Sequence, residues 1–342
     1  MTLKLHRVVW IIFLALILVA VGFLSKNNNV VRIPIINKTV ETLNPLSIVA
    51  MRNKNYPGSD IIVEKILDSG SNYNQYIVFY KSDNLKIYAL MTVPQGEKPK
   101  TGWPIIVFNH GYIPPDQYVT TERYVAYVDT FARNGYIVFK SDYRGNGNSE
   151  GEPEGAYYST AYATDVLNAV SSLKQYKDAD PKRIGMWGHS MGGNITLRNL
   201  VVNTKDIKAA VIWGGVVGSY EDLMYNWRRT VPFQPSSKEL ALRNRFRQQL
   251  IDRYGDARKN PTFWNSFDPT HHLSDITAKV QIHHGEVDEE VPVEFSKSLY
   301  EKLKSAGKTA ELYTYPGNDH NISQSFNLAI QRSVDFFDKY LK

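Results

Sequence analysis

Residues 184–193 read Ile-Gly-Met-Trp-Gly-His-Ser-Met-Gly-Gly, and no other stretch constrains the chain as tightly. An apolar run suited to a buried strand ends at Trp187. Gly188-His189-Ser190-Met191-Gly192 follows as a G-x-S-x-G turn, and a helix pattern opens at Met191. Strand, tight turn and helix form the context in which a serine is presented at the head of a helix with small neighbours around it. There the helix dipole and free N–H groups favour developing negative charge. Such a turn needs a parallel strand with a helix behind it, so it commits the chain to an α/β architecture.

The surrounding pattern agrees. Strand signals at Ile61–Leu67, Tyr76–Tyr80 and Leu85–Val93 come first, the last two separated by Ser82-Asp83-Asn84 and so expected to pair antiparallel. Pro104–Phe108 is a continuous apolar run, as in a strand covered on both faces. Strand and helix then alternate to the end. Tyr124, Tyr127, Val128, Phe131 and Ala132 line one helix face, and Asn134-Gly135 stops it. Strands are expected at Tyr136–Phe139, Ile184–Trp187, Ala209–Trp213, Val280–His283 and Glu311–Tyr315. The expected fold is a mostly parallel central sheet with helices on both faces. Residues 214–272 break the rhythm, with no convincing strand and many aromatic and Arg residues. They are read as a helical lid insertion over the carboxyl edge of the sheet.

A serine hydroxyl needs a base to become a nucleophile. His320 follows the strand ending at Tyr315. Asp288 follows the strand Val280–His283, three residues after Gly285. Nucleophile Ser190, acid Asp288 and base His320 thus occur in the chain order that this architecture requires. Glu286, Glu289 and Glu290 are rivals to Asp288 and are read as solvated or rim charges. An oxyanion needs two donors. Met191 N–H is one, and Tyr112 N–H, in the loop Asn109-His110-Gly111-Tyr112, is the candidate for the other. His110 is expected to hold that loop by hydrogen bonds.

Five segments carry a family resemblance: Asn109–Tyr112, Asp142–Ser149, Gly188–Gly193, His284–Asp288 and Asp319-His320. With them the chain from about Ile61 to Leu341 resembles the catalytic domain of the prolyl oligopeptidase family of serine peptidases and related esterases. The resemblance implies an α/β-hydrolase fold and acyl transfer to water through an acyl-enzyme on Ser190. A small ester or a short peptide is the implied substrate. The same elbow is usual in lipases and carboxylesterases, so both bond types stay open. A non-catalytic binding protein that keeps the fold is the third reading, and an intact triad argues against it.

Other signals weigh less. The formal charge is +6, of which Lys4, Arg7 and Lys26 supply three. No basic run implies nucleic acid. The chain has no cysteine, which excludes disulfides and a thiol nucleophile. Gly145-Asn146-Gly147 fails the dinucleotide fingerprint because the next glycine, Gly151, comes one residue late. His271-His272 and His283-His284 are adjacent pairs whose side chains point apart on a strand, so no metal and no cofactor are expected.

Val8 to Leu24 is a run of 17 uncharged residues behind Lys4, His6 and Arg7. As a helix it spans about 25 Å, near the lower limit for a bilayer core. The basic flank predicts that the N-terminus stays in the cytoplasm. Residues 1–26 are therefore expected to form a membrane anchor or a cleaved signal, either of which puts the catalytic domain outside the cytoplasm. A buried helix is the remaining alternative. Residues 27–60 read as a linker and an arm on the catalytic domain, which is placed at 61–342.

Overall fold

A computed structural model describes residues 44–232, 235 and 237–342. The apolar run Val8 to Leu24 lies outside the described residues. Among the described residues no helix is long and apolar enough to cross a membrane.

Nine strands form one sheet. They are β1 (Ile62–Leu67), β2 (Tyr73–Ser82), β3 (Leu85–Pro94), β4 (Trp103–Asn109), β5 (Ile137–Ser141), β6 (Ala179–His189), β7 (Ile207–Trp213), β8 (Lys279–Gly285) and β9 (Ala310–Tyr315). Their spatial order is β1-β2-β3-β5-β4-β6-β7-β8-β9. β1, β2 and β3 form an antiparallel meander that joins β5 antiparallel. From β5 onward every pairing is parallel. The β2–β3 hairpin turns on Asp83 and Asn84, both with positive φ (49° and 67°). Two such residues match the strand twist of a tight two-residue loop, and Asp and Asn tolerate that backbone.

The period of two sorts the core into layers. Ile105 and Val107 of β4 join one buried cluster, and Ile106 and Phe108 join the other. Met186 and Trp187 of β6 part in the same way. On one face lie α2 (Val125–Arg133) and α8 (Phe326–Leu341), burying Val128, Phe131, Ile330, Val334 and Phe337. On the other lie α3 (Ala161–Gln175), α4 (Met191–Val202) and α7 (Val293–Ser305), burying Val166, Val170, Ile195, Phe295 and Leu299. A fully buried side chain of this kind contributes roughly 1.5–3 kcal/mol.

α1 (Ile48–Asn53) precedes the sheet and had no sequence signal. Ser47 caps it by accepting a hydrogen bond from Ala50 N–H, and Ile48 and Met51 are buried in the cluster shared with α4 and α7. Arg52 is tied to Asp275 (2.7 Å) and to the carbonyl of Val201 (2.8 Å). The described part of the expected arm thus packs into the core, which reaches upstream of residue 61.

The chain runs from β4 outward to β5 and then returns past β4 to β6. A crevice opens at the carboxyl ends of the strands where the direction of winding reverses. The loop after β4 and the turn after β6 are the two walls of that crevice.

Candidate active site

Ser190 joins β6 to α4 with φ 55° and ψ −119°, a backbone that non-glycine residues adopt only under constraint. The constraint is visible. Ser190 N–H donates to Trp213 O on β7, and Ser190 O accepts from Gly193 N–H and Val216 N–H, each at 3.0 Å. Gly192 must lack a side chain, because a Cβ there would sit 1.9 Å from Asn109 O. That contact brings the end of β4 against the first turn of α4. Met191 N–H lies in that turn, where N–H groups have no intrahelical acceptor.

Asp288 follows β8 and His320 follows β9. His320 Nδ1 lies 2.6 Å from Asp288 Oδ2. The other carboxylate oxygen accepts from the N–H groups of Glu290 (2.8 Å) and Val291 (2.9 Å). Burial pushes the Asp288 carboxyl up. Hydrogen bonds from His284 and His320 outweigh it and hold the group well below the usual carboxylate range. The rivals stand elsewhere. Glu286 accepts from Thr314 Oγ1 at 2.7 Å on the exposed surface, Glu289 is exposed, and Glu290 pairs with Arg229 at 2.8 Å on the cavity wall.

The loop after β4 faces Ser190. Gly111 N–H donates to Tyr124 Oη (2.9 Å), which ties the peptide before Tyr112 to the start of α2. Gly111, Tyr112, Ser190, Met191 and His320 line one cavity of about 630 Å³. No hydrogen bond joins Ser190 Oγ to His320. Such catalytic bonds commonly tighten only when substrate binds. His110 stacks between Tyr118 and Tyr143 (4.7 and 4.3 Å between ring centroids), and its Nδ1 bonds Gly111 O at 2.7 Å. Asp142 accepts from Tyr118 (3.0 Å) and Thr120 (2.6 Å), so it braces the same loop.

Residues 214–272 contain α5 (Ser237–Tyr254) and α6 (Pro261–Phe267) and no strand among the described residues. Leu223, Trp227, Arg229 and Phe246 of this segment line the cavity. Tyr220, Trp264 and Phe267 do not; they are buried in the core. Only the middle of the segment is lid-like. It is fastened to the acid loop by Trp227 Nε1 on Glu290 O (2.8 Å), Thr230 N on Glu289 O (2.9 Å) and the Arg229–Glu290 pair.

Three residues near the site carried no functional reading in the sequence: Tyr124, His189 and His284. His284 Nε2 lies 3.0 Å from Asp288 Oδ2 and 3.0 Å from Val291 O, two acceptors, so this nitrogen carries the proton. Ser296 Oγ, 2.6 Å from Nδ1, then donates. The spacing His284-x-x-x-Asp288 was the available signal. Its partner His283 points the other way, bonding Gln281 Oε1 and Tyr315 Oη at 2.7 Å each. Among the described residues no group of three His, Asp or Glu is placed to hold a metal ion.

Residues 123–342 match the model of the prolyl oligopeptidase family. The chain is 26% identical over 259 residues to the uncharacterized peptidase YtmA of Bacillus subtilis (strain 168), covering 76% of this chain and 91% of that one. It is 28% identical over 227 residues to the uncharacterized peptidase YuxL of the same organism, covering 66% of this chain but 30% of YuxL. Among solved structures, the acylaminoacyl peptidase of Pyrococcus horikoshii is similar with TM-score 0.63 and 23% identity, over 80% of this chain and 42% of that chain. The acetyl xylan esterase of Paenibacillus sp. R4 gives TM-score 0.63 and 17% identity, over 86% of this chain and 92% of that one. The two structural likenesses carry the fold, which is that of the α/β-hydrolases. The chain spans nearly all of YtmA and the esterase, and less than half of YuxL and the acylaminoacyl peptidase. With its fold in place and 220 of its residues, 123 through 342, under that family model, the chain belongs to the prolyl oligopeptidase family of serine hydrolases.

Proposed function

We propose that the chain hydrolyses carboxylic esters or short peptide amides by acyl transfer to water, with Ser190 as nucleophile, His320 as general base and Asp288 as the acid that orients it. The observation that carries this reading is the 2.6 Å contact from His320 Nδ1 to Asp288 Oδ2 on the wall of the cavity that Ser190 also lines. Asp288 holds the Nδ1 proton, which leaves Nε2 to take the proton of Ser190 Oγ as the oxygen bonds the acyl carbon. Met191 and Tyr112 N–H receive the oxyanion. His320 returns the proton to the leaving group, and a water activated in the same way releases the acid and restores Ser190.

The cavity suits a substrate of moderate size with an aromatic or acyl group beside Tyr157, Trp227 and Phe246. Esterase chemistry is the second reading, favoured by a likeness that spans most of the acetyl xylan esterase chain. Parallel assays on p-nitrophenyl esters and aminoacyl p-nitroanilides separate the two: turnover of anilides assigns a peptidase, and turnover of esters alone assigns an esterase. Loss of both in Ser190→Ala ties either activity to the elbow.

Residues 1–26 are proposed to tether this enzyme to a membrane with residues 61–342 outside the cytoplasm, or to direct its secretion if they are cleaved. The support is the apolar run Val8 to Leu24 behind its basic flank.

A further inference from the structure

Tyr124 sits where the backbone is least comfortable. It precedes α2 with φ 56° and ψ 18°, and Arg123 before it has φ 56° as well. Two consecutive non-glycine residues in the left-handed region persist only where their surroundings hold them. The surroundings here are a buried ammonium and a buried hydroxyl. Lys140 of β5, wholly buried, donates Nζ to the carbonyls of Glu122 (2.8 Å) and Arg123 (3.4 Å). The Tyr124 ring meets Phe108 and Trp187 edge-on.

The hydroxyl so placed has two partners. Gly111 N–H donates to Tyr124 Oη at 2.9 Å, and Oη lies 2.8 Å from His189 Nδ1. His189 Nε2 lies 3.1 Å from His320 O. A carbonyl only accepts, so Nε2 carries the proton of His189. Burial, with His320 next in effect, pushes this imidazole down to about 3, which keeps it neutral. Nδ1 is then an acceptor, and Tyr124 O–H donates to it. Every proton in the chain is assigned. It runs from the oxyanion loop, through Tyr124 and the residue before the nucleophile, to the main chain of the base.

We propose that Tyr124 is a positioning residue, whose hydroxyl, held between Gly111 N–H and His189 Nδ1, sets the oxyanion loop and His320 in register for the transition state. This rests on the hydrolase reading above. The hydroxyl fixes the peptide preceding the one that carries Tyr112 N–H, the loop donor. Tyr124 and His189 line the cavity, but the hydroxyl is engaged by Gly111 N–H and His189 Nδ1, so its effect is expected on alignment when charge develops rather than on substrate affinity.

Tyr124→Phe removes only the hydroxyl. With a p-nitrophenyl ester, kcat is expected to fall about tenfold or more while KM stays within twofold. Inhibition by a boronic acid, which mimics the tetrahedral state, should weaken by the same factor as kcat. A residue that only supports the fold would lower the melting temperature and leave these ratios unchanged. His189→Leu breaks the chain from the other side and serves if Tyr124→Phe does not fold. It should give the same kcat-selective loss, and the double variant should be little worse than either single one. A kcat within twofold of wild type in whichever variant folds, or a rise in KM alone, overturns the proposal. Fluorophosphonate labelling of the wild type and Ser190→Ala run beside it keeps the two readings apart. An unlabelled wild type sinks the hydrolase reading, whereas a labelled wild type with unaltered Tyr124→Phe kinetics sinks only this one.

Discussion

His284 and His320 converge on one atom. Both imidazoles direct a ring nitrogen at Asp288 Oδ2, at 3.0 and 2.6 Å, while Oδ1 is taken by two backbone N–H groups. The carboxylate is thereby fixed in place and kept ionised, as the proposed acid role demands.

Replacing that carboxylate should be severe. Asp288→Asn is expected to lower kcat by about 10⁴, the scale seen when the orienting acid of a serine triad is lost. Glu286→Gln should stay within about twofold, because Glu286 is exposed and bonds Thr314, outside the cavity lining. Steady-state kinetics on one ester checks both. A severe loss in Glu286→Gln with Asp288→Asn active would move the acid role.

Glu290 belongs to a different category. Its pairing with Arg229 fastens the lid to the acid loop, and both residues line the cavity. Partly exposed pairs contribute about 0–1 kcal/mol, so Glu290→Gln should raise KM a few-fold and change kcat little. A collapse of kcat would mean that Glu290 acts on the triad itself.

Acid should destabilise the fold early. Burial is the largest cause that pushes His110, His189 and His283 down to about 3 from the ordinary 6.5. Between these values the unfolded chain binds protons that the folded chain refuses. Stability from these three groups is therefore full above about pH 6.5 and is lost as the pH falls toward 3. At pH 5.5 the three groups together cost on the order of a few kcal/mol, a large share of a typical folding free energy. The carboxyl of Asp288, held low, adds a loss of the same sign only below its ordinary value of 3.8. Thermal melting is expected to drop by several degrees, roughly 5–8 °C, between pH 8 and pH 5.5. A flat melting temperature over that range would contradict the assignment.

Full-length protein is expected to fractionate with membranes or to lose its N-terminus, and a chain lacking residues 1–26 should be soluble and active. Truncation through Lys54 should behave differently, because it removes α1 and with it the buried Ile48 and Met51. Ile48→Ala alone should cost about 2–5 kcal/mol. Denaturant melts of the two truncated forms and of this variant check the statement. Equal stability of both truncations would make α1 dispensable.

What the residues disclosed beforehand follows from locality. Pro104–Phe108 reads as a strand because both faces of β4 are covered and leave no polar position. The places of Ser190, Asp288 and His320 in the fold were legible because each follows a strand end within a few residues. α1 was not, since six residues with two buried side chains produce no periodicity. Nor could hydropathy separate Trp264, a core residue, from Trp227, a cavity residue; both are aromatic and lie in one irregular segment. Tyr124 and His189 escaped because their hydrogen bonds join segments remote in sequence, 65 residues apart for Tyr124 and His189 and 131 for His189 and His320. His284 bonds its near neighbours Asp288, Val291 and Ser296, and there the i,i+4 spacing was the signal.

The most direct test of the account is mass spectrometry of the intact protein after reaction with a fluorophosphonate. A single adduct is expected on the wild type, mapped to the peptide bearing Ser190, with its formation slowed strongly in His320→Ala and abolished in Ser190→Ala. An adduct that persists in Ser190→Ala, or a folded wild type that takes none, would contradict the assignment of Ser190 as the nucleophile.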